Sequence, residues 1–552
     1  MDYKVLAELQ VFNFDNWDEF KRYLHLNLKK LKKDIFEDKE TIVINIGDHD
    51  YYVSEKEYGT KLELIQSIIN DIGIPENVIT ILTTNKNIDK EIKALTKDNK
   101  MLSAIINGRY EKVDFLNHEV KLKKRFSNYT YGEAIPTKIK LDDLTDKEKF
   151  LLMDSKVFCM YPWIHLNASP NGDAMPCCLW DYNQKMGSVK EHTIKELWNG
   201  RDWKSLRVNM LNEQQTPGCD RCYKEEQAGF FSARQSANKH HGHHIKRASN
   251  TSRDGHSSEF SMTYWDIRFS NLCNLSCRSC GHIFSSSWYQ DQKSIAGENW
   301  AKNNKPLFWA GRHETDMLEQ LMEHIDYVEQ IYFAGGEPLT MDEHYIILEE
   351  LEKRKKFDVR LVYNTNFTKT KLKDRYVFDY WRKFKSVSIG ASLDAMGPRA
   401  EYIRHGTNWA EVERNREMML EQCPNVDFYI SPTLSIQNAL HLPDFHRDWV
   451  ERGFIRAQDL NVNILQDPAW LRIDIAPESY KEKIRSRYQE HLEWLRPLDE
   501  LKRATQGFES ALRFLETDNT ELLPKFRERM TKLDDLRKEN ILEAIPELNE
   551  LT

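Results

Sequence analysis

The chain has 552 residues, with 79 Lys plus Arg against 87 Asp plus Glu and a net charge of -8. At about 150 residues per domain this length calls for three or four units, and the acidic balance supplies no global basic field for nucleic acid, so no nucleic-acid partner is expected. Hydrophobic residues make up 40%, with 14 Trp, 23 Tyr and 25 Phe, which is enough to fill a core, while 30% charged residues speak against a membrane-embedded chain. No run approaches the roughly 18 to 20 apolar residues of a spanning helix. The start, MDYKVLAELQVFNFDNWDEF, lacks the basic and apolar stretches of a secretory signal. A cytoplasmic location without a membrane partner is therefore expected.

In chain order, residues 1–145 read as a small α/β domain, with amphipathic stretches at 15–31 and 62–72 and apolar runs at Thr41–Ile46 and Val78–Thr83. They contain no glycine-rich nucleotide loop. Residues 150–233 hold five cysteines, several tryptophans and a turn signal, Ser169-Pro170-Asn171-Gly172-Asp173, which predicts a hairpin in a compact metal-dependent module. Residues 234–258 are nearly free of aliphatic side chains and rich in histidine (His240, His241, His243, His244, His256), a composition read as a flexible linker. From 259 to 476 the runs TYWDIRFS, QIYFAGG, VRLVYNTN, SVSIGASL, DFYISPTL and NVNIL alternate with helical patterns, predicting parallel strands joined by crossovers in a barrel or part of one. Residues 477–552 form a charged helical extension, with Leu533, Leu536, Ile541, Leu542 and Ile545 spaced for one packed face.

Eight of the nine cysteines fall within residues 159–280, a clustering that fits thiolate metal ligation rather than a disulfide framework. Cys273, Cys277 and Cys280 are spaced C-x3-C-x2-C directly after a strand pattern. Soft thiolates select zinc or an iron-sulfur centre, and three of them leave one coordination position for something else. The alternative at this point is a structural zinc site completed from elsewhere, for instance by His282.

This spacing is followed by Gly335-Gly336-Glu337-Pro338 after the second strand, Asn364-Thr365-Asn366 after the third, Ser392-Leu393-Asp394 after the fourth, and Glu401-Tyr402-Ile403-Arg404-His405-Gly406 beyond it. The ordered set resembles the radical S-adenosylmethionine (radical SAM) superfamily. The resemblance implies a partial (β/α)6 barrel in which Cys273, Cys277 and Cys280 bind a 4Fe-4S cluster and S-adenosylmethionine chelates its remaining iron. Reduction would then cleave the sulfonium to a 5′-deoxyadenosyl radical that abstracts a substrate hydrogen, the cofactor carrying the difficult step. It further implies that Gly335, Gly336 and Glu337 lie along the methionine moiety, and that Asn364, Ser392, Asp394 and Arg404 lie near the ribose or the methionine carboxylate. Ser279 stands where many members of the family place an aromatic residue.

The second constellation is Cys159, then Gly172-x4-Cys177, and Cys219-x2-Cys222. It resembles the twitch module, a shortened relative of the SPASM domain, here placed before the radical core instead of after it. The resemblance implies an auxiliary 4Fe-4S cluster held by Cys159, Cys177, Cys219 and Cys222, with Cys178 a neighbour and not a ligand. A four-cysteine zinc ribbon is the alternative. The expected function is oxidative modification of a peptide or protein, with the auxiliary cluster as electron relay and an electron donor such as flavodoxin or ferredoxin. A dehydrogenase or epimerase of a sugar, aminocyclitol or other small molecule is the second reading, and a non-enzymatic zinc or iron-sulfur protein is the third.

Overall fold

The computed structural model describes residues 143–227 and 231–552 and, before them, the backbone of strands alone. It divides into one unit of residues 1–129 with 451–453 and another of residues 130–450 with 454–552. In the first, β1 (Lys4–Gln10), β2 (Glu40–Gly47) and a later strand pair in parallel, while β3 (Tyr51–Val53) and β4 (Tyr58–Thr60) form an antiparallel pair. The later strand is β5 (Ile79–Thr83), paired with β2. Strands β2 and β5 fall on the two apolar runs read from sequence; the helices expected at 15–31 and 62–72 lie outside the described residues.

The second unit is mixed α/β with a mostly parallel sheet in the order β14-β13-β10-β9-β8-β6-β7. Its strands are β6 (Asn167–Ala168), β7 (Ala174–Met175), β8 (Tyr264–Ile267), β9 (Gln330–Phe333), β10 (Arg360–Thr365), β13 (Val387–Ala391) and β14 (Asp427–Ile430). A small antiparallel pair, β11 (Lys371–Leu372) with β12 (Arg375–Tyr376), follows β10, and β15 (Thr433–Leu434) pairs in parallel with β16 (Asn463–Ile464) beyond β14. Each of the six runs read from sequence contains one of the parallel strands β8, β9, β10, β13, β14 and β16.

Alternation within the strands separates two faces. Ile331, Phe333, Leu361, Tyr363, Phe428 and Ile430 are buried. They meet the apolar sides of helices such as Asp342–Lys353, which buries Tyr345, Ile347, Leu348 and Leu351, and Leu442–Glu451, which buries Phe445 and Trp449. The opposite face carries Tyr332, Arg360, Val362, Asn364, Asp427 and Tyr429, all less buried and mostly polar. Helices cover one face; the other is left for polar chemistry.

The hairpin predicted at 169–173 is formed by β6 and β7, closed by Ser169 N donating to Asp173 O at 3.0 Å. Strand β6 also pairs in parallel with β8, Asn167 opposite Asp266, so the cysteine-rich module extends the main sheet. Among the described residues no helix is long and apolar enough to cross a membrane.

Two expectations need correction. Residues 234–258 are not a flexible linker: a capping box of Ser232 with Gln235 starts the helix Ala233–His241, and a 3-10 turn leads into the helix Ile245–Ser249. Order here comes chiefly from hydrogen-bonded polar side chains, with only a few buried aliphatic groups, Ala237, Ile245 and Ala248. Arg234 pairs with Glu226 at 2.6 Å and donates to the carbonyls of Ser155 and Phe158, while Asn238 bridges Met160 N and Phe158 O. The second correction is Leu536, which is 38% exposed. The helix Leu523–Arg537 instead buries Phe526, Met530 and Leu533, the i, i+4, i+7 stripe, and Leu536, in its last turn, falls to the side of that stripe.

Glu148 ties the same segment to the helix Asp146–Lys149, accepting from Lys246 Nζ at 2.8 Å, Ser249 Oγ at 2.7 Å and Thr145 N at 2.9 Å. Burial opposes its ionisation, but these hydrogen bonds prevail and lower its pKa from 4.5 to about 2. A depressed carboxylate stabilises the fold above its unfolded pKa, and that contribution is lost as pH falls through the folded value. Glu148→Gln should therefore unfold at lower denaturant than the parent at neutral pH. The gap between their midpoints should close on acidification from 4.5 toward about 2; a gap constant across that window would contradict the assignment.

Candidate active site

The cysteine loop follows the carboxyl end of β8 and is held by its neighbours. Glu337 N donates to Leu272 O at 2.8 Å, Ser276 N to His405 O at 3.0 Å and Arg278 N to Ile403 O at 2.9 Å. Trp288 Nε1 reaches Cys277 O at 2.9 Å, and Asn274 Nδ2 reaches Thr368 Oγ1 at 2.9 Å. The loop is thus framed by backbone from the segments after β9 and β13 and by side chains from the segment after β10.

Gly336 shows why the first of these contacts needs glycine. Its φ is +52°, and a Cβ there would lie 2.2 Å from Leu272 O, backbone of the cysteine loop itself. A side chain cannot occupy that space without moving the loop. Gly335 sits over the Arg268 side chain, where a Cβ would come within 2.3 Å of its Cγ.

The Glu337 carboxylate points into the protein. It accepts from Thr365 Oγ1 at 2.7 Å, Asn366 N at 2.7 Å and Leu339 N at 3.1 Å, so it fastens the segment after β9 to the segment after β10. Burial raises its pKa to about 7 against the pull of those donors. Asn366 also donates to Asn274 Oδ1 at 3.0 Å. Asn364 is exposed on the polar face of β10, its Oδ1 over Gly390 of β13.

Asp394 and Arg404 meet. Arg404 Nη2 donates to Asp394 Oδ1 at 3.0 Å and its Nε lies 2.9 Å from Oδ2, while its Nη1 lies 3.7 Å from Cys277 Sγ. Thr433 N also donates to Asp394 Oδ1, at 2.8 Å. Burial works against the guanidinium charge, but Asp394 and the Cys277 sulfur outweigh it and raise the pKa. Ser392 lies on the same turn after β13, its N donating to Thr365 O at 2.7 Å. The structure therefore brings Cys277, Arg404 and Asp394 into direct contact. Glu337 joins them only through the frame, and Asn364 stands apart on the sheet.

Burial pushes the Cys280 thiol up to about 12 and raises those of Cys273 and Cys277 as well. Without a metal these sulfurs favour the proton; a soft cation displaces it.

In the cysteine-rich module Cys159 precedes the 3-10 turn Tyr161–Trp163, Cys177 follows β7, Cys219 ends the turn Pro217–Cys219 and Cys222 lies in the helix Asp220–Gln227. The Cys159 sulfur is close enough to those of Cys219 and Cys222, and Cys177 to those of Cys159 and Cys219, for each to disfavour the other's thiolate. The Arg234 guanidinium acts the opposite way on Cys159, Cys219 and Cys222. Cys178 also lies close to Cys177, while its own sulfur is close to Asp266 and Arg268 of the sheet. Gly172, at φ +92°, turns the hairpin where a Cβ would meet Ala310 O at 2.8 Å. Cys423 is buried away from both groups, its thiol near Phe378 O.

Neither cysteine group gathers three donor atoms within 4.8 Å of one another. Thiolates on one tetrahedral zinc stand only about 3.8 Å apart, given a Zn–S bond near 2.3 Å. Neither set is drawn together as tightly as a single zinc ion would hold it.

Sequence reasoning missed the clamp on the cysteine loop. The Arg278 side chain is fully buried, donates to Tyr402 O at 3.1 Å, lies 3.6 Å over the Tyr402 ring and pairs with Asp534 and, at 2.6 Å, with Glu539. Arg537 from the same helical extension donates to Ser276 O at 2.8 Å and pairs with Asp291 at 2.7 Å. The one available signal was an arginine between the second and third cysteines; nothing in one sequence indicates partners 256 and 261 residues away.

With this geometry in view, residues 159–223 match the family model of SPASM, an iron-sulfur cluster-binding domain. That match defines the class of the cysteine-rich module. Among solved structures, native anSMEcpe with bound AdoMet and Kp18Cys peptide is similar at 18% identity and a TM-score of 0.29, over 40% of this chain and 58% of that one. Native anSMEcpe with bound AdoMet gives 19% and 0.29 over 43% and 60%, and TYW1 with a lysine-pyruvate adduct bound gives 15% and 0.23 over 42% and 71%. The chain thus spans 58% of the length of the first of these structures. No curated protein matches the chain.

Arg278→Ala removes the cation that two carboxylates and the Tyr402 carbonyl share. It should lower stability by roughly 3 kcal/mol, the scale of a broken buried ion pair. Arg278→Lys should recover less than half of that loss, because a point charge cannot replace the planar fork. Chemical denaturation of the three proteins measures both; an unchanged midpoint in Arg278→Ala would dispose of the clamp.

Proposed function

We propose that the chain is a radical SAM enzyme that oxidatively modifies a peptide or protein, with residues 259–476 as its radical core, 150–233 as its auxiliary module and 477–552 as a helical extension. The observation that carries this reading is the meeting of a three-cysteine loop, Gly335-Gly336-Glu337 and the Arg404–Asp394 pair on the turns at the carboxyl ends of parallel strands. In sheets of this kind ligands bind at those ends.

In this reading Cys273, Cys277 and Cys280 hold one 4Fe-4S cluster and Cys159, Cys177, Cys219 and Cys222 the auxiliary one. When bound, the first cluster and S-adenosylmethionine supply one-electron cleavage of the sulfonium and a 5′-deoxyadenosyl radical that takes a substrate hydrogen. The residues of this chain position and shield. Arg404, already neutralised by Asp394 and touching Cys277, offers its remaining face to a ligand carboxylate. Gly335 and Gly336, packed against Arg268 and Leu272, would run along the methionine moiety of the same ligand, Glu337 keeps two of the flanking segments in register, and Ser392 would line the site, with Asn364 on the adjoining polar face of the sheet. The electron enters from a donor of the flavodoxin or ferredoxin class, and the enzyme works in the cytoplasm.

Net oxidation removes a hydrogen atom, a proton and an electron, so a base is needed beside the electron acceptor. We assign that role to Asp266. It lies on β8, opposite Asn167 of the auxiliary module, fully buried, 3.5 Å from Arg268 and beside Cys178. Burial raises its proton affinity, which suits a carboxylate that must accept a proton.

Anaerobic reconstitution should incorporate about seven to eight irons for two 4Fe-4S clusters, and the reduced protein should make 5′-deoxyadenosine from S-adenosylmethionine. Cys277→Ala should abolish that product while keeping the absorbance of the auxiliary cluster. Zinc in place of iron, or full turnover in the variant, would end the reading. Asp266→Asn should still form 5′-deoxyadenosine yet release product lighter by two hydrogens at least about a hundredfold more slowly, as mass spectrometry of a turned-over candidate peptide would record. Equal loss of both products would instead make Asp266 a structural residue.

A further inference from the structure

The histidine-rich segment holds a group of residues that the chemistry above does not use. His243 Nε2 lies 2.7 Å from Glu329 Oε2 and His244 Nε2 lies 3.3 Å from the same oxygen. The two imidazole rings are 4.1 Å apart. The three donor atoms lie within 4.8 Å of one another, the only such trio of His, Cys, Asp or Glu among the described residues.

An ordinary hydrogen-bonded arrangement does not account for this convergence. His243 makes a hydrogen bond to Glu329, but His244 Nε2, though near, is off the hydrogen-bonding line and is buried without a partner. A buried polar atom left unpaired costs about 1–3 kcal/mol, so a ligand that satisfies it is favoured. Donors 2.0–2.1 Å from a tetrahedral zinc stand about 3.3 Å apart, which is the His244–Glu329 separation; only His243 would have to draw back. Nearby Arg247 does not compete, because its guanidinium is engaged by Glu259 at 2.8 Å and by the carbonyl of Ser261 at 2.7 Å.

We propose that His243, His244 and Glu329 bind one divalent transition-metal ion of the zinc class, with imidazole and carboxylate donors. Glu329 directly precedes β9, and β8 and β9 run parallel, so the site lies at the amino ends of the strands, away from the loop of Cys273. The ion therefore serves as a staple: it fastens the turn Gly242–His244 to the lower rim of the sheet, and with it the helix that supplies Arg234 to the auxiliary cysteines.

Zinc and cobalt(II) are the probes. Full-length protein, its cysteines first loaded with iron and sulfide, is titrated with each ion beside His243→Ala/His244→Ala and Glu329→Gln, the latter keeping the size and hydrogen-bonding capacity of the side chain. The parent should retain about one zinc that both variants bind at least about tenfold more weakly. The parent-minus-variant cobalt spectrum should show d–d bands without sulfur-to-cobalt charge transfer. Equal zinc retention in parent and variants, or a difference spectrum dominated by thiolate charge transfer, would overturn the site. Because the readout is a difference at histidine and glutamate, it stands or falls separately from the radical chemistry.

Discussion

The loop that carries Cys273, Cys277 and Cys280 contains no regular secondary structure and no aliphatic core of its own, so its shape depends on one buried cation. Arg278 enters the protein between two of the sulfurs and is met there by Asp534, Glu539 and the ring and carbonyl of Tyr402. A buried guanidinium tolerates few arrangements, because each unpaired N–H carries a desolvation cost. That intolerance is what makes the loop specific. The hydrogen bonds of Ser276 and Arg278 backbone to His405 and Ile403 then fix where Cys277 meets Arg404.

The auxiliary module is built on the same logic of shared framework. Strand β6 lengthens the sheet that β8 begins, so the two thiol groups rest on adjacent, hydrogen-bonded strands. The module's small apolar content is offset by large rings, among them Trp163, Trp198 and Trp203, all buried. Arg234 closes it electrostatically from the neighbouring helix. The residues that look most like solvent-exposed tether in composition thus complete the environment of the sulfurs.

Strand positions were legible in sequence because β-branched and aromatic runs bounded by turn residues have few other uses, and each of the six runs from TYWDIRFS to NVNIL holds a strand of the parallel set. The cysteines, Gly336, Asp394 and Arg404 were picked out because thiol spacing and ordered short motifs are local signals, whereas the direct contact of Arg404 with Asp394 emerged only in the fold. The order of residues 233–249 was not legible. Composition measures how much apolar surface a segment can bury, but Arg234, Asn238 and Arg247 are held by hydrogen bonds to carbonyls scattered over residues 155–261. The same holds for Asp534 and Glu539, whose partner is distant in the chain and carries no periodic mark. Leu536 was misplaced because it lies in the last turn of its helix but off the buried stripe of Phe526, Met530 and Leu533.

The distance along the chain between Arg278 and its acidic partners bears on biosynthesis. A ribosome that has delivered the three thiols of this loop has still to make more than 250 residues before the loop acquires its counter-ions. Until then Arg278 has no carboxylates to fold against. The clamp on the cysteine loop can therefore close only after Glu539 has been synthesised, a timing written into connectivity.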